Sequence, residues 1–403
     1  MEPSEFTPDS PGRLVETPEG ALAFVPHALP PEIHLDLQTV TLLGRAENAL
    51  GHLEGCAGRL VNPFLVGSPL LHREAILSSR IEGTITTPEE LVLFEVGKRP
   101  AGPGPSRAED TREVRNYIGA MRHGLGRLQE LPVCLRLIRE IHSVLLADVR
   151  GGRERPGEFR TAQNYIGRHA TDSIQDARFV PPPVHEMRDL LRDLETYIAS
   201  DTDPLPLLIR LALVHYQFEA IHPFRDGNGR VGRLLIPLLL CEHERLSEPL
   251  LYLSAFFERH RQAYYDLLLD VSCSGAWMRW IRFFLQGVHD CANEAAAQVE
   301  GLLGLRQRYH ERFQSARSSA LLIKLIDELF KRPAITIGET ASLLEVTPAS
   351  ASYNLRKLAD AGIVAEWTGR QRDQIFVAGD IVAFLRDSER PPAVEPSDQT
   401  VGS

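Results

Sequence analysis

Cysteine is scarce in this chain and scattered along it. Cys56, Cys134, Cys241, Cys273 and Cys291 are odd in number, and no two form a Cys-x-x-Cys pair. That spacing argues against a zinc site and against a disulfide framework, and suits buried thiols in a reducing cytosol. Long apolar runs are missing as well. The strongest, Leu234 to Leu240, is bracketed by Arg233 and Glu242 and falls far short of the roughly 18 residues of a membrane span. No membrane partner is expected. The opening Met1-Glu2-Pro3-Ser4-Glu5 has no basic stretch of the kind that starts a secretion signal, so the expected location is cytoplasmic. An excess of positive charge is absent too. Lys and Arg total 44 against 54 Asp and Glu, a formal charge of −10, which rules out nucleic-acid binding by bulk charge and leaves only a local patch.

What remains is an ordinary globular composition. The 403 residues are 43% hydrophobic and 24% charged, enough for two or three domains with buried cores. Helical periodicity dominates. Leu43, Ala46, Ala49 and Leu50 make a helical stripe within Leu37 to Leu53. Further helices are expected at Glu74–Ile81, Thr111–Leu125, Val133–Leu146, Val184–Ile198 and Leu205–Ala220, and in an apolar stretch ending near Cys241. The breaker-rich Pro-Ala-Gly-Pro-Gly-Pro-Ser run between Arg99 and Arg107 predicts a linker. Short β-prone runs at Asn164–Gly167 and Ala177–Val180, stopped by Pro181-Pro182-Pro183, predict a β-hairpin flap. Trp277, Trp280, Phe283 and Phe284 recur at helical spacing and are expected in the core. His142, His215 and His260 sit in no motif and are assigned no function.

One segment carries chemistry: His222-Pro223-Phe224-Arg225-Asp226-Gly227-Asn228-Gly229-Arg230-Val231-Gly232-Arg233. Two glycines allow a tight bend and close approach of a ligand. A helix starting just after them aims free N–H groups and its positive dipole end into the bend, which suits phosphate. Arg230 and Arg233 lie three apart on one helical face, and guanidinium forks match phosphate oxygens. Asp226 is a hard carboxylate beside that anion site, a plausible Mg²⁺ ligand. His222 can take a proton at neutral pH. Together these point to a nucleotide polyphosphate and to phosphoryl or nucleotidyl transfer.

The segment resembles the Fic family pattern His-x-Phe-x-(Asp/Glu)-Gly-Asn-Gly-Arg-x-x-Arg, agreeing at all eight typed positions. The resemblance implies a mainly α fold: a helical core with the flap, a helical N-terminal domain, and protein adenylyltransferase activity. Such enzymes move AMP from ATP to a Ser, Thr or Tyr hydroxyl of a protein target, which can be the enzyme itself. It implies that His222 is the base and that Asp226 holds Mg²⁺. Gly227, Asn228 and Gly229 would form the anion hole. Arg230 and Arg233 would steady the outer phosphates, with Val231 and Gly232 between them in the nucleotide site, and Phe224 would anchor the loop. Tyr265, in a Tyr264-Tyr265 pair, would lie near the adenine. Upstream, Ser78-Ser79-Arg80-Ile81-Glu82-Gly83 resembles the family's inhibitory pattern (Ser/Thr)-x-x-x-Glu-(Gly/Asn). That resemblance implies that Glu82 competes with the γ-phosphate for Arg233.

The expected layout is an N-terminal extension at 1–29, a helical domain with the inhibitory motif at 30–98 and a linker at 99–109. The catalytic core follows at 110–290 and a connecting helix at 291–317. A winged helix-turn-helix is expected at 318–386 and a disordered tail at 387–403. The winged segment rests on a helix–turn–helix around Val346-Thr347-Pro348 followed by two strands flanking Thr368-Gly369-Arg370. It holds eight basic and eight acidic residues, so no basic stripe marks a DNA surface, although Arg356, Lys357, Arg370 and Arg372 could meet phosphate. Two other readings stay open: removal of AMP by the same loop, and a nucleotide-sensing DNA-binding regulator. A homodimer also stays open.

Overall fold

The computed structural model describes residues 1–58, 64–97, 106–149, 155–167, 173–200, 202–313, 319–370 and 372–387. The chain divides into two compact units, one of 1–87 with 99–303 and one of 88–98 with 304–403. The fold is mainly helical. Among the described residues, no helix is long and apolar enough to cross a membrane.

The first unit opens with a hairpin, β1 (Gly12–Glu16) against β2 (Leu22–Pro26), antiparallel with Gly12 opposite Pro26. Gly12 has a packing reason, because a Cβ there would lie 2.5 Å from the Phe24 ring. Helix α1 (Leu37–Ala57) is capped by Asp36, which accepts from Thr39 N at 2.9 Å. Its buried stripe runs through Ala46, Ala49, Leu50 and Leu53. Helix α2 (Phe64–Ile81) carries the Ser78–Glu82 segment at its end. Gly83, at φ 91°, turns the chain away after it.

Helix α3 (Pro88–Glu95) belongs to the second unit. The first unit continues with α4 (Ser106–Arg127), α5 (Leu135–Leu145), α6 (Val184–Ile198), α7 (Leu207–Ile221) and α8 (Asn228–Glu242). After these come α9 (Ser254–Arg259), α10 (Arg261–Ser274) and α11 (Trp277–Glu311). Helices α7 and α8 are buried on nearly every side. A helix apolar all round must sit in the middle of a core, and these two meet at the His222 turn. Trp280 is fully buried and donates its indole N–H to the Ala212 carbonyl at 2.8 Å, so the aromatic stripe of α11 packs against α7.

In the second unit, α12 (Ser319–Lys331) leads to β3 (Ala334–Thr336), α13 (Ile337–Leu344), α14 (Pro348–Asp360), β4 (Ala365–Glu366), β5 (Ile375–Val377) and α15 (Gly379–Asp387). The strands form an antiparallel sheet in the order β3-β5-β4. Thr336 and Glu339 close a capping box on α13, and Thr347 caps α14 with Pro348 at its first turn. Val92 of α3 packs with Ala334, Ile375, Val377 and Val382.

The linker expected at 99–109 lies outside the described residues up to 105; its remainder opens α4. The tail from 388 onward also lies outside them. The flap is reduced to one antiparallel bridge, Ile166 with Phe179, and 168–172 between them lie outside the described residues.

Candidate active site

The site begins where α7 ends. His222 adopts a left-handed conformation, φ 49° and ψ 61°, and its N–H still closes the last helical turn on Phe218 O. A non-glycine residue there is costly, and buried groups hold it in place. Arg160, 2% exposed, donates from Nε to His222 O at 3.0 Å and from its own backbone N–H to Pro223 O at 2.9 Å. Its Nη2 donates to Pro182 O at 2.5 Å. Asn164 Nδ2 donates to Phe224 O at 3.0 Å. Residues before and at the start of the flap thus hold the turn from outside, and Arg160 is itself tied to the segment after the flap.

The loop is closed from within by Asn228. Its Oδ1 accepts from Phe224 N and its Nδ2 donates to Phe224 O, both at 2.8 Å. Phe224 is fully buried and stacks on His142, with ring centroids 3.7 Å apart and planes 5° off parallel. Gly157 N–H donates to His142 Nδ1 at 2.8 Å, so Nε2 carries the proton and donates to Asp226 O at 3.0 Å. Burial holds the His142 pKa down at about 4, which keeps that tautomer neutral. Gly227, at φ 79°, provides the bend that starts α8.

A cleft of about 1040 Å³ opens over this loop. His222, Gly229, Arg233, Glu82, Glu219 and Tyr265 line it, with Ile166 and Phe179 of the flap along one edge. His222 is half-buried. Its Nδ1 lies 3.3 Å from the Glu219 carbonyl, which can only accept, so Nδ1 carries the proton and Nε2 keeps its lone pair. Burial, with the Arg160 guanidinium, pushes its pKa down to about 4, so the ring is a neutral acceptor at pH 7.

Arg233 is 2% exposed at its side chain. Its Nε donates to Ser78 Oγ at 2.8 Å, and its Nη2 to Ser78 O at 2.9 Å and Glu82 Oε1 at 2.7 Å. Burial pulls the Glu82 pKa up, but Arg233 outweighs it and holds the carboxyl below its ordinary value. A Cβ at Gly229 would lie 2.3 Å from Glu82 Oε1. Glu82 therefore stands directly over the first turn of α8, on its positive dipole end.

Arg230 is placed differently. It is 3% exposed, pairs with Glu113 Oε2 at 3.1 Å and Asp226 Oδ1 at 3.4 Å, and does not line the cleft. Glu113 also accepts from Thr84 Oγ1 at 2.9 Å, tying the segment after Gly83 to the loop. Asp226 has a half-exposed side chain and accepts from Gly227 N at 2.6 Å. As the hard oxygen donor at the loop's edge it suits Mg²⁺, which needs one or two carboxylates and takes its other ligands from phosphate and water. Val231 is fully buried and does not face the cleft. Gly232 makes room for Glu219, since a Cβ there would lie 2.4 Å from Glu219 Oε1. Tyr265 lines the cleft beside Tyr264, rings 5.1 Å apart.

Sequence reasoning missed four contributors. His142, Arg160 and Asn164 act through backbone carbonyls of the loop from 60 to 84 residues away, and no spacing signals that. The fourth is Glu219, whose carboxyl burial pushes up to about 8 and whose Oε1 has no partner among the described residues. Its place three residues before His222 was its only signal. The hairpin β1–β2 was missed as well. Phe24 N–H donates to Val180 O at 2.9 Å, and Phe24 packs on Phe179 at 6.0 Å, so the hairpin backs the flap.

Two family models match the chain in tandem, "Fic/DOC family N-terminal" over residues 40–126 and "Fic/DOC family" over 132–240. A 160-residue stretch is 34% identical to the Protein adenylyltransferase Fic of Aedes aegypti, covering 40% of this chain and 28% of that protein. A 217-residue stretch is 32% identical to the protein of the same name in Drosophila grimshawi, covering 53% and 40%. The chain thus spans less than half the length of these curated relatives. Among solved structures, a Fic family protein from Desulfovibrio desulfuricans G20 aligns with a TM-score of 0.57 at 20% identity, over 87% of this chain and 98% of that one. A Fic domain containing signaling protein from Bacteroides thetaiotaomicron VPI-5482 gives 0.50 at 19%, over 66% and 97%. These two likenesses bear on the fold. The second model takes in the His222 loop, so residues 40–240 carry the two Fic/DOC family regions in tandem.

Proposed function

We propose that the cleft binds ATP and transfers its AMP to a hydroxyl group of a protein, with Glu82 restraining the reaction. The observation that carries this reading is the meeting of three groups in one cleft: a neutral His222 with an open Nε2, the glycine-lined start of α8, and Arg233 with Glu82 across it. The names of the curated relatives support the reaction class.

The target hydroxyl attacks the α-phosphorus. Its proton passes to His222 Nε2, the bond from the α-phosphorus to the bridging oxygen breaks, and pyrophosphate leaves with that oxygen. The N–H groups at the start of α8 face the phosphates, and Arg233 neutralises charge on the outer ones. Mg²⁺, held by Asp226, would supply charge neutralisation between the phosphates and the leaving group. Glu82 opposes the productive pose because a carboxylate and a γ-phosphate compete for one guanidinium. Arg230 serves as the brace between Asp226, Glu113 and Thr84, at one remove from the nucleotide. The Ile166–Phe179 bridge supports reading the flap as an edge on which an extended target segment pairs. The element order of the second unit supports reading it as a winged helix.

Labelled ATP tests the donor chemistry. With Glu82→Gly and Mg²⁺, label at the α-phosphate is expected on protein and label at the γ-phosphate is not. Label from the γ position alone would instead mean phosphate transfer.

A further inference from the structure

Outside the lining of the cleft, α1 and α11 bring three ligand types together. His52 and Cys56 stand four residues apart on one face of α1, and Glu300 of α11 reaches the same point. The Cys56 Sγ lies 3.9 Å from His52 Nε2 and 3.9 Å from Glu300 Oε1. All three ligand atoms fall within 4.8 Å of one another. The thiol is buried, 3% exposed, while the imidazole and the carboxylate are exposed above it. No disulfide engages this cysteine.

We propose that His52, Cys56 and Glu300 form a binding site for a divalent metal of the Zn²⁺ type, with solvent as the fourth ligand. Thiolate, imidazole and carboxylate are the donor set that Zn²⁺ takes, and a tetrahedral centre with ordinary bond lengths holds neighbouring ligand atoms about 3.5 Å apart. The two spacings from the sulfur, 3.9 Å each, need to close by only about 0.4 Å, and the imidazole–carboxylate spacing, within 4.8 Å, closes by movement of two exposed side chains. The buried sulfur forms the floor, and the two exposed side chains close from the solvent side, so the ion has an entry path. On binding, the Cys56 S–H bond breaks, the sulfur bonds to the metal and the proton goes to solvent. The absence of a Cys-x-x-Cys pair argued against zinc, but the third ligand lies 244 residues further along the chain, where no local pattern exposes it. A metal here would bridge α1 to α11. Helix α11 also reaches α2, through Gln298 accepting from Arg73 at 3.5 Å. The proposal stands apart from the reading of the cleft.

Titration of the metal-free full chain with Co²⁺ alone tests it. One equivalent is expected to produce the near-ultraviolet charge-transfer band of a thiolate–cobalt bond with the visible bands of a four-coordinate ion, and Zn²⁺ should bleach both. Cys56→Ser should abolish the charge-transfer band. His52→Ala changes an exposed residue, so the fold is kept, and should weaken Co²⁺ binding at least tenfold. No charge-transfer band in the wild type, a band that persists in Cys56→Ser, or an unchanged affinity in His52→Ala would each overturn the assignment.

Discussion

Removing the Glu82 carboxylate should tighten ATP binding by an amount that the geometry sets. The carboxylate meets Arg233 through one contact at 2.7 Å, on a guanidinium whose side chain is 2% exposed. A charge-assisted hydrogen bond of this kind contributes about 1.5–3 kcal/mol. Glu82 itself is 33% exposed at its side chain, and a single contact lacks the fork of a bidentate pair, which favours the middle of that range. At about 2 kcal/mol, the competent form is reached only about once in 30, and apparent affinity falls by the same factor. Glu82→Gly should therefore bind a non-hydrolysable ATP analogue roughly 30-fold more tightly than wild type, by calorimetry with Mg²⁺ present. Glu82→Gln keeps the shape and a hydrogen bond but loses the charge, and should fall between the two. Equal affinities in all three proteins would refute the competition, because Glu82 and the phosphate would then not share Arg233.

Two further outcomes follow from particular contacts. Gly229→Ala places a methyl group 2.3 Å from Glu82 Oε1 and 2.9 Å from Arg233 Nη1; it displaces the carboxylate but also fills the phosphate's approach, so it should lose ATP affinity at least tenfold relative to Glu82→Gly. Calorimetry finding Gly229→Ala as tight as Glu82→Gly would contradict the phosphate placement. Burial raises the Glu219 carboxyl from 4.5 to about 8, so between those values the folded chain keeps a proton that the unfolded chain releases, and rising pH costs stability. Urea unfolding at pH 5 and pH 8 should show a smaller loss toward pH 8 for Glu219→Gln than for wild type; superimposable pH dependences would reject that burial.

Much of the fold was legible because the chain's own periodicity sets it. Helix α6 matches its expected bounds from Val184 to Ile198, with Pro183 just before it and apolar residues at helical spacing. Helices α13 and α14 stand on either side of the expected Val346-Thr347-Pro348 turn, and Thr336 and Thr347 cap them. The Glu82 contact to Arg233 was legible only through the resemblance of Ser78–Gly83 to the family's inhibitory pattern, and the Ser78 contacts to Arg233 were not expected. Hairpin β1–β2 was not legible, since its strands are short and its stability comes from Val180 and Phe179 far along the chain. Arg230 was expected on phosphates because it lies three residues from Arg233. Its burial against Glu113 is decided by α4, which no local spacing reports. His142 escaped notice for a like reason: its value lies in a ring stack and two backbone contacts, none of which leaves a pattern in the sequence.

Intact-mass spectrometry of the Glu82→Gly protein incubated with ATP and Mg²⁺, beside the same protein also carrying His222→Ala, bears most directly on the chemistry assigned to the cleft. A gain of one or more adenylate masses in the first and none in the second is the predicted result. Adenylate gained equally by both would contradict His222 as the base, and no gain in either, with or without an added protein target, would contradict the transfer itself.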